Sequence, residues 1–467
     1  MRPLVLFALA AVCDAAVIGI DFGARFLKVG IIAPGKGIEL VLNEASKRKS
    51  SAAAGFNSQK ERVYGDDSYN LMGKLPAQQY VLQKLLLGKA VSSAEVASFT
   101  DVGFPYEFET DDATNAAVIK YGTNETLRSE ELVAFVLSYA KQLGEASAGA
   151  PVKDCVITIP PFFGTSERTA MLSAASIAGL NVLSLVHENT AFAFKYGFDK
   201  EAEFSLEEPT NVVFADLGAS SFKVSLVSFS SVAGKKNKTS GTMAVKGVAW
   251  DSSLGGRDFD HVVLEMLADA FMKAYPTVSD IRSSVRAMGK LRKESERVKD
   301  TLSANKMFQV GIESLHEDRD LRIVVNRAEF EERAAALWPR FAAPMRAVLE
   351  QANLTAADVH KVEMVGGATR IPRVKDTLNE VYGLPISASL NGDEAAALGA
   401  TLFAAKLSTS FRLREFAITD AFPHPIAVKL GSDGEAADAD SAADEGEGKP
   451  QKGKWKLLFK ANTKFPH

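Results

Sequence analysis

The sequence predicts an α/β protein made of two lobes on one plan. A strand–Asp–Gly–turn–strand unit occurs twice, far apart in the chain. The segment between the two units alternates strand and helix patterns, which argues for layered α/β architecture. At 467 residues the chain is long enough for more than one such lobe.

The first unit is Val17-Ile18-Gly19-Ile20-Asp21-Phe22-Gly23, a short apolar strand that ends in an Asp and a Gly, with Lys28 to Ile32 as its return strand. The second is Val212-Val213-Phe214-Ala215-Asp216-Leu217-Gly218, with Phe222 to Phe229 returning. A repeat at so long a distance indicates a duplicated domain, not a solenoid of short repeats. Between them Cys155 to Ile159 reads as a strand closed by Pro160-Pro161. Thr165 or Ser166 then caps a helix through Met171, Leu172 and Ala175 that Gly179 ends. Asn181 to Val186 is another strand and Asn189 to Tyr196 another helix. Residues 281–305 place Ile281, Val285, Met288, Leu291, Val298 and Leu302 at the spacing of a long amphipathic helix. From about Phe411 the texture changes. Phe416 to Val428 reads as strands of a new β-unit, and Ser432 to Lys454 has the acidic, Ala- and Gly-rich composition of a disordered loop. The apolar restart at Trp455 to Phe459 suggests a chain that stops inside its next domain.

Composition narrows the function classes. Apolar residues make up 46% of the chain and the formal net charge is −4, so the basic excess of a nucleic-acid binder is missing. Arg2, the apolar run Leu4 to Val12 and small residues at Cys13 and Ala15 have the form of a signal peptide over 1–15. That run is too short to span a bilayer, and no later stretch of about twenty apolar residues follows, so no membrane span is expected. Loss of Cys13 with the leader leaves Cys155, in an apolar strand pattern, as a buried structural thiol. Asn124, Asn237 and Asn353 each begin an Asn-x-Thr sequon and are candidate glycosylation sites in a lumenal protein. Six histidines without a spaced Cys/His cluster argue against a zinc site, and His187 reads as structural.

Three glycine-bearing turns carry the chemistry. Asp21-Phe22-Gly23 and Asp216-Leu217-Gly218 put a carboxylate at a strand end beside a turn whose backbone N–H groups can cradle phosphate oxygens. Such carboxylates suit a hydrated Mg²⁺ that keeps several of its waters. Val365-Gly366-Gly367-Ala368-Thr369-Arg370 is a strand, a Gly pair and a helix start, where anions are favoured. Taken singly each is also compatible with an ordinary β-turn.

Two phosphate turns followed by a Gly-Gly motif resemble, in this order, the actin-like two-lobed ATPase superfamily. Lys153 to Pro160, Ala178 to Leu183, Leu254-Gly255-Gly256-Arg257-Asp258-Phe259-Asp260 and Asp393-Glu394-Ala395-Ala396 are similar to the 70-kDa heat-shock protein family in particular. Asn43 to Lys49, Thr301 to Asn305 and the acidic loop resemble its large endoplasmic-reticulum class. The resemblance implies a nucleotide-binding domain over 17–408. Its lobe I would be about 17–208 and its lobe II about 209–385, with a return to lobe I at 386–408. A linker and an incomplete β-domain would then occupy 409–467, with the acidic loop at 432–454, and unfolded polypeptide clients would be held through the largely missing C-terminal region.

The same resemblance implies ATP or ADP as cofactor, with Mg²⁺ held through water by Asp21 and Asp216. The nucleotide would lie against Asp21, Gly23, Ala24, Arg25, Gly218, Ala219, Ser220 and Ser221 at the phosphate turns. Glu296, Lys299 and Ser303 would contact the nucleoside, with Gly366, Gly367, Ala368, Arg370 and Asp393 around it, and Glu188 and Asp216 would support hydrolysis. Five positions depart from the family pattern. Ala24 and Arg25 replace threonines, Tyr69 stands where a water-positioning lysine is expected, Lys223 replaces a carboxylate, and Asp300 replaces an arginine that would stack on adenine. The implied function is an ATP-binding chaperone of the endoplasmic reticulum lumen. It would act as a holdase and as nucleotide-exchange partner of a lumenal 70-kDa (BiP-like) chaperone, with slow or absent hydrolysis. A chaperone with its own ATPase cycle remains the alternative, with a sugar kinase and an actin-type filament former as remoter ones.

Overall fold

The computed structural model describes residues 16–122, 125–233, 239–430 and 454–466. The expected leader, the sequons at Asn124 and Asn237, and nearly all of the acidic loop lie outside the described residues.

Two sheets carry the duplicated plan. In the first, Val17–Phe22 pairs antiparallel with its return strand Phe26–Ile32 and parallel with Asp154–Ile159, which pairs parallel with Asn181–His187. In the second, Thr210–Leu217 pairs antiparallel with Phe222–Ala233 and parallel with Lys361–Val365, which pairs parallel with Ile386–Ser387. Each central strand is therefore a near-continuous apolar run, because both of its faces are covered. The two-lobed, actin-like α/β class expected from the sequence is the observed one.

The helix Ala395–Leu407 sits where the lobes meet. It is apolar almost all round and buried along most of its length, as a helix packed on every side must be. It lies against Val17–Phe22 and the helix Glu188–Asp199. Gly19 permits that approach, since a Cβ there would come within 2.1 Å of the Thr401 amide nitrogen. A separate buried cluster, including Phe192, Phe194, Phe214, Phe229 and Phe403, joins the two sheets around this helix. The amphipathic pattern at 281–305 is realised as the helix Val285–Ala304, preceded by a short turn that Asp280 caps.

The tail differs from its expected placement. Phe416–Phe422 is a strand, but it adds in parallel to Thr239–Asp251 and so extends the second sheet. Thr463–Pro466 pairs antiparallel with it. Among the described residues of the tail, Ile426–Leu430 and Lys454–Phe459 pair antiparallel apart from this sheet. Hydrogen bonding explains the difference, because the edge of Thr239–Asp251 offers unpaired backbone groups that Phe416–Phe422 satisfies. Among the described residues no helix is long and apolar enough to cross a membrane. Cys155 is fully buried, and burial pushes its thiol up to about 12.

Candidate functional site

The two Asp–Gly hairpins face each other across a cleft of about 1190 Å³ including its open mouth, ample for a small-molecule ligand. Both turns close with the same hydrogen bond. Gly23 N donates to Phe26 O at 3.0 Å, and Gly218 N donates to Ser221 O at 3.0 Å. Two glycines shape the wall. Gly366 has φ +86°, and a Cβ there would lie 2.3 Å from Leu217 O. Gly255 packs on Ser220, whose carbonyl carbon would be 2.5 Å from an added Cβ. A side chain at either position would push the second phosphate turn out of place.

Register places a lysine opposite each aspartate. Asp21 pairs across the strands with Lys28, and Asp216 with Lys223. Directly opposed residues have Cβ atoms about 5 Å apart, close enough for the side chains to meet. Lys28 Nζ donates to Asp21 Oδ2 at 2.7 Å, and Thr158 Oγ1 donates to Asp21 Oδ1 at 3.1 Å. Lys223 Nζ lies 2.8 Å from Asp216 Oδ2 and 2.5 Å from Glu188 Oε2. The other Glu188 oxygen accepts from Lys84, whose ammonium also donates to Phe22 O at 2.6 Å. Lys84, Glu188, Lys223 and Asp216 thus form a chain of alternating charge from one lobe to the other.

Burial and these partners set the protonation states. Burial works against the charged form of Lys223, but Asp216 and Glu188 outweigh it and hold its pKa above the usual lysine range. Lys28 is likewise raised, with Asp21 overcoming burial. Glu188 is held down at about 2, because Lys223 and Lys84 more than offset the burial that would raise it. Asp216 is lifted by burial and, further, by the Glu188 charge, with Lys223 opposing.

Around the mouth, Lys299 pairs with Asp260 at 2.7 Å, and Arg370 and Lys49 both reach Asp393. Gly367, Ala368, Ala24, Ala219 and Ser221 complete the lining near the turns. Asp300 lines the same mouth and is largely exposed.

Some sequence-derived residues fall elsewhere. Tyr69 is not among the residues that line the cleft between the two turns. Its hydroxyl donates to Glu296 in a neighbouring, more apolar cavity. An ammonium does occupy the floor beside Glu188, and it belongs to Lys84. The signal was a lone lysine inside the apolar run Tyr80 to Leu87, a position where a charge must find a partner. Glu296 is also absent from the cleft lining. Arg25 crosses from the first turn to meet it at 2.5 Å. Burial and Asp260 raise the Glu296 pKa, while Arg25 opposes that. Ser303 donates to the carbonyl of Lys299 in its own helix and is likewise outside the lining. Lys223 does not point to solvent, being only 5% exposed. His187 is packed between Arg168 and Asp420, away from the cleft. Asn353 is exposed at the left-handed end of the helix Ala342–Ala352.

The hydrated divalent cation implied by the resemblance fits this donor set poorly. Its expected carboxylates, Asp21 and Asp216, are each bonded to an ammonium, and Lys223 is shared with the adjacent Glu188. An added dication would sit against two buried positive charges.

Comparison with known proteins agrees with this architecture. The family described as Hsp70 protein matches residues 17–442. Hypoxia up-regulated protein 1 of Xenopus laevis is 36% identical over 476 residues, covering 100% of this chain and 72% of its own length. The proteins of that name from Danio rerio and Homo sapiens are each 35% identical over 91% and 89% of this chain, respectively. The chain spans only 43% and 42% of those two relatives. Duplicated hairpins, the interlobe cleft and a match over most of its length identify this chain as a member of the Hsp70 family.

Proposed function

We propose that this chain is an ATP- and ADP-binding chaperone of the endoplasmic reticulum lumen. It holds unfolded polypeptide and promotes nucleotide exchange on a lumenal 70-kDa (BiP-like) relative, and it turns over ATP slowly or not at all. Nucleotide lies between the two hairpins, in the lobes drawn at 17–208, 209–385 and 386–408. The leader-like pattern over 1–15 and the relatives named for up-regulation in hypoxia support a lumenal, stress-linked setting. Client binding belongs to a region at or beyond 409–467. Asn353, exposed, and the sequons at Asn124 and Asn237 are the glycan sites of this reading.

The observation that carries slow turnover is Lys223. Phosphoryl transfer depends mostly on positioning and charge stabilisation around the attacking water. Here the Lys223 ammonium bonds both Asp216 and Glu188, the two carboxylates available to orient that water. A Glu188 held at about 2 is also a weak base at neutral pH. The test is equilibrium binding of ATP and ADP, followed by release of labelled ADP from a lumenal 70-kDa chaperone. Binding with faster release supports the reading, and absence of nucleotide binding removes it. Binding without faster release removes the exchange role alone.

One observation favours the alternative of an independent ATPase cycle. Lys84 Nζ, between Phe22 O and Glu188, is an ammonium placed to steady a water or a phosphate oxygen at the cleft floor. Single-turnover hydrolysis separates the two.

A further inference from the structure

We propose that the cleft binds nucleoside di- and triphosphates without a divalent cation, using fixed ammonium groups in the cation's place. This rests on the nucleotide-binding reading and deepens it.

The inference starts from register. In both hairpins the residue directly opposite the phosphate-turn aspartate is a lysine, Lys28 opposite Asp21 and Lys223 opposite Asp216. The duplicated unit therefore carries the same cross-strand Asp–Lys pair twice, once on each wall. The ion pairs are close, at 2.7 and 2.8 Å, and both lysines are largely shielded from water. Shielding lengthens the reach of their charge, since water no longer screens it.

Each pair blocks a cation and favours a polyanion by the same geometry. A hydrated dication needs carboxylate lone pairs facing its water shell. Asp21 instead has about half of its acceptor sites taken, one by Lys28 and one by Thr158, and its charge already matched by the Lys28 ammonium. Asp216 and Glu188 share Lys223, and Glu188 also accepts from Lys84. An ammonium has three N–H donors, so Lys28 can keep its carboxylate and still donate to a phosphate oxygen. Lys223 retains one donor beyond its two carboxylate contacts, on the same count.

The charge of the whole lining agrees. Lys28, Lys84 and Lys223 lie at the floor, with Arg25, Lys49, Lys299 and Arg370 nearer the mouth. They face Asp21, Glu188, Asp216, Asp260, Asp300 and Asp393, so the cleft holds one more cation than acid. With a carboxylate at position 223 the balance would reverse, and a polyphosphate would need added metal to enter.

The experiment is a titration of labelled ADP, with unlabelled ATP as competitor, into the full chain in EDTA and again in excess magnesium. The expected affinities agree within about threefold, a difference of well under one tenfold step in binding constant. A loss of more than about tenfold in EDTA overturns the inference and leaves the nucleotide reading standing. No binding in either condition overturns both. Lys223→Asp sharpens the result, because nucleotide binding by that variant becomes magnesium-dependent. Its fold is checked by circular dichroism, and should it not fold the wild-type titration decides alone.

Discussion

The hairpin Val17–Ile32 and the hairpin Thr210–Ala233 have the same turn hydrogen bond and the same cross-strand Asp–Lys pair. Their surroundings differ. Asp21 has its own lysine and a threonine hydroxyl, and the first turn sends Arg25 across to Glu296 of the other lobe. Asp216 shares its lysine with Glu188, which draws in Lys84 from the first lobe. The first hairpin is thus a self-contained pair plus one interlobe bridge, whereas the second is one link in a buried charge chain. Duplication supplied the scaffold, and local neighbours decided how much each charge matters.

The largest expected effect follows from that difference. Lys223→Met leaves Glu188 and Asp216 without their shared ammonium and should destabilise the fold by about 3–5 kcal/mol, as breaking a buried pair does. Lys28→Met strands one carboxylate that still accepts from Thr158, so about half that loss is expected. Urea unfolding of both variants checks this, and equal losses would break the asymmetry.

Next in size is the acid dependence of Glu188. Its folded pKa of about 2 lies below the ordinary 4.5, so its ionisation contributes stability that is fully present above about pH 4.5. That contribution is lost as pH falls toward 2. The gap in unfolding free energy between wild type and Glu188→Gln should therefore be widest near neutrality and narrow through that window.

Smaller again is Arg25→Gln, which removes the bridge to Glu296. A loss of about 2 kcal/mol is expected, typical of a hydrogen bond to a charged group. Thermal unfolding measures it. Tyr69→Phe should cost only about 1 kcal/mol, since Arg25 still serves Glu296. It should leave ATP affinity unchanged because Tyr69 lies outside the cleft. A large affinity loss in an isothermal titration would return Tyr69 to the nucleotide site.

Much of the scaffold was legible in the sequence because it depends on local pattern. Asp21-Phe22-Gly23 and Asp216-Leu217-Gly218 announce strand ends and turns by themselves, and Phe22 and Phe214 are buried as apolar strand residues must be. The lysine partners were not legible in the same way. Which residue faces Asp21 or Asp216 depends on hairpin register, and the arrival of Lys84 beside Glu188 depends on a contact across 104 positions. The family resemblance marked Tyr69 as standing where a lysine is expected, and in the structure its hydroxyl is engaged by Glu296 from the helix Val285–Ala304. Phe416–Phe422 was readable as a strand, although nothing local to it says which sheet edge it joins.

The most direct test of the account is single-turnover hydrolysis, with the protein in excess over labelled ATP and product followed over time. If the ammonium of Lys223 has disabled Asp216 and Glu188 for chemistry, bound ATP remains intact for hours. Product within minutes would contradict that and show that Lys84 and its neighbours support a working ATPase cycle.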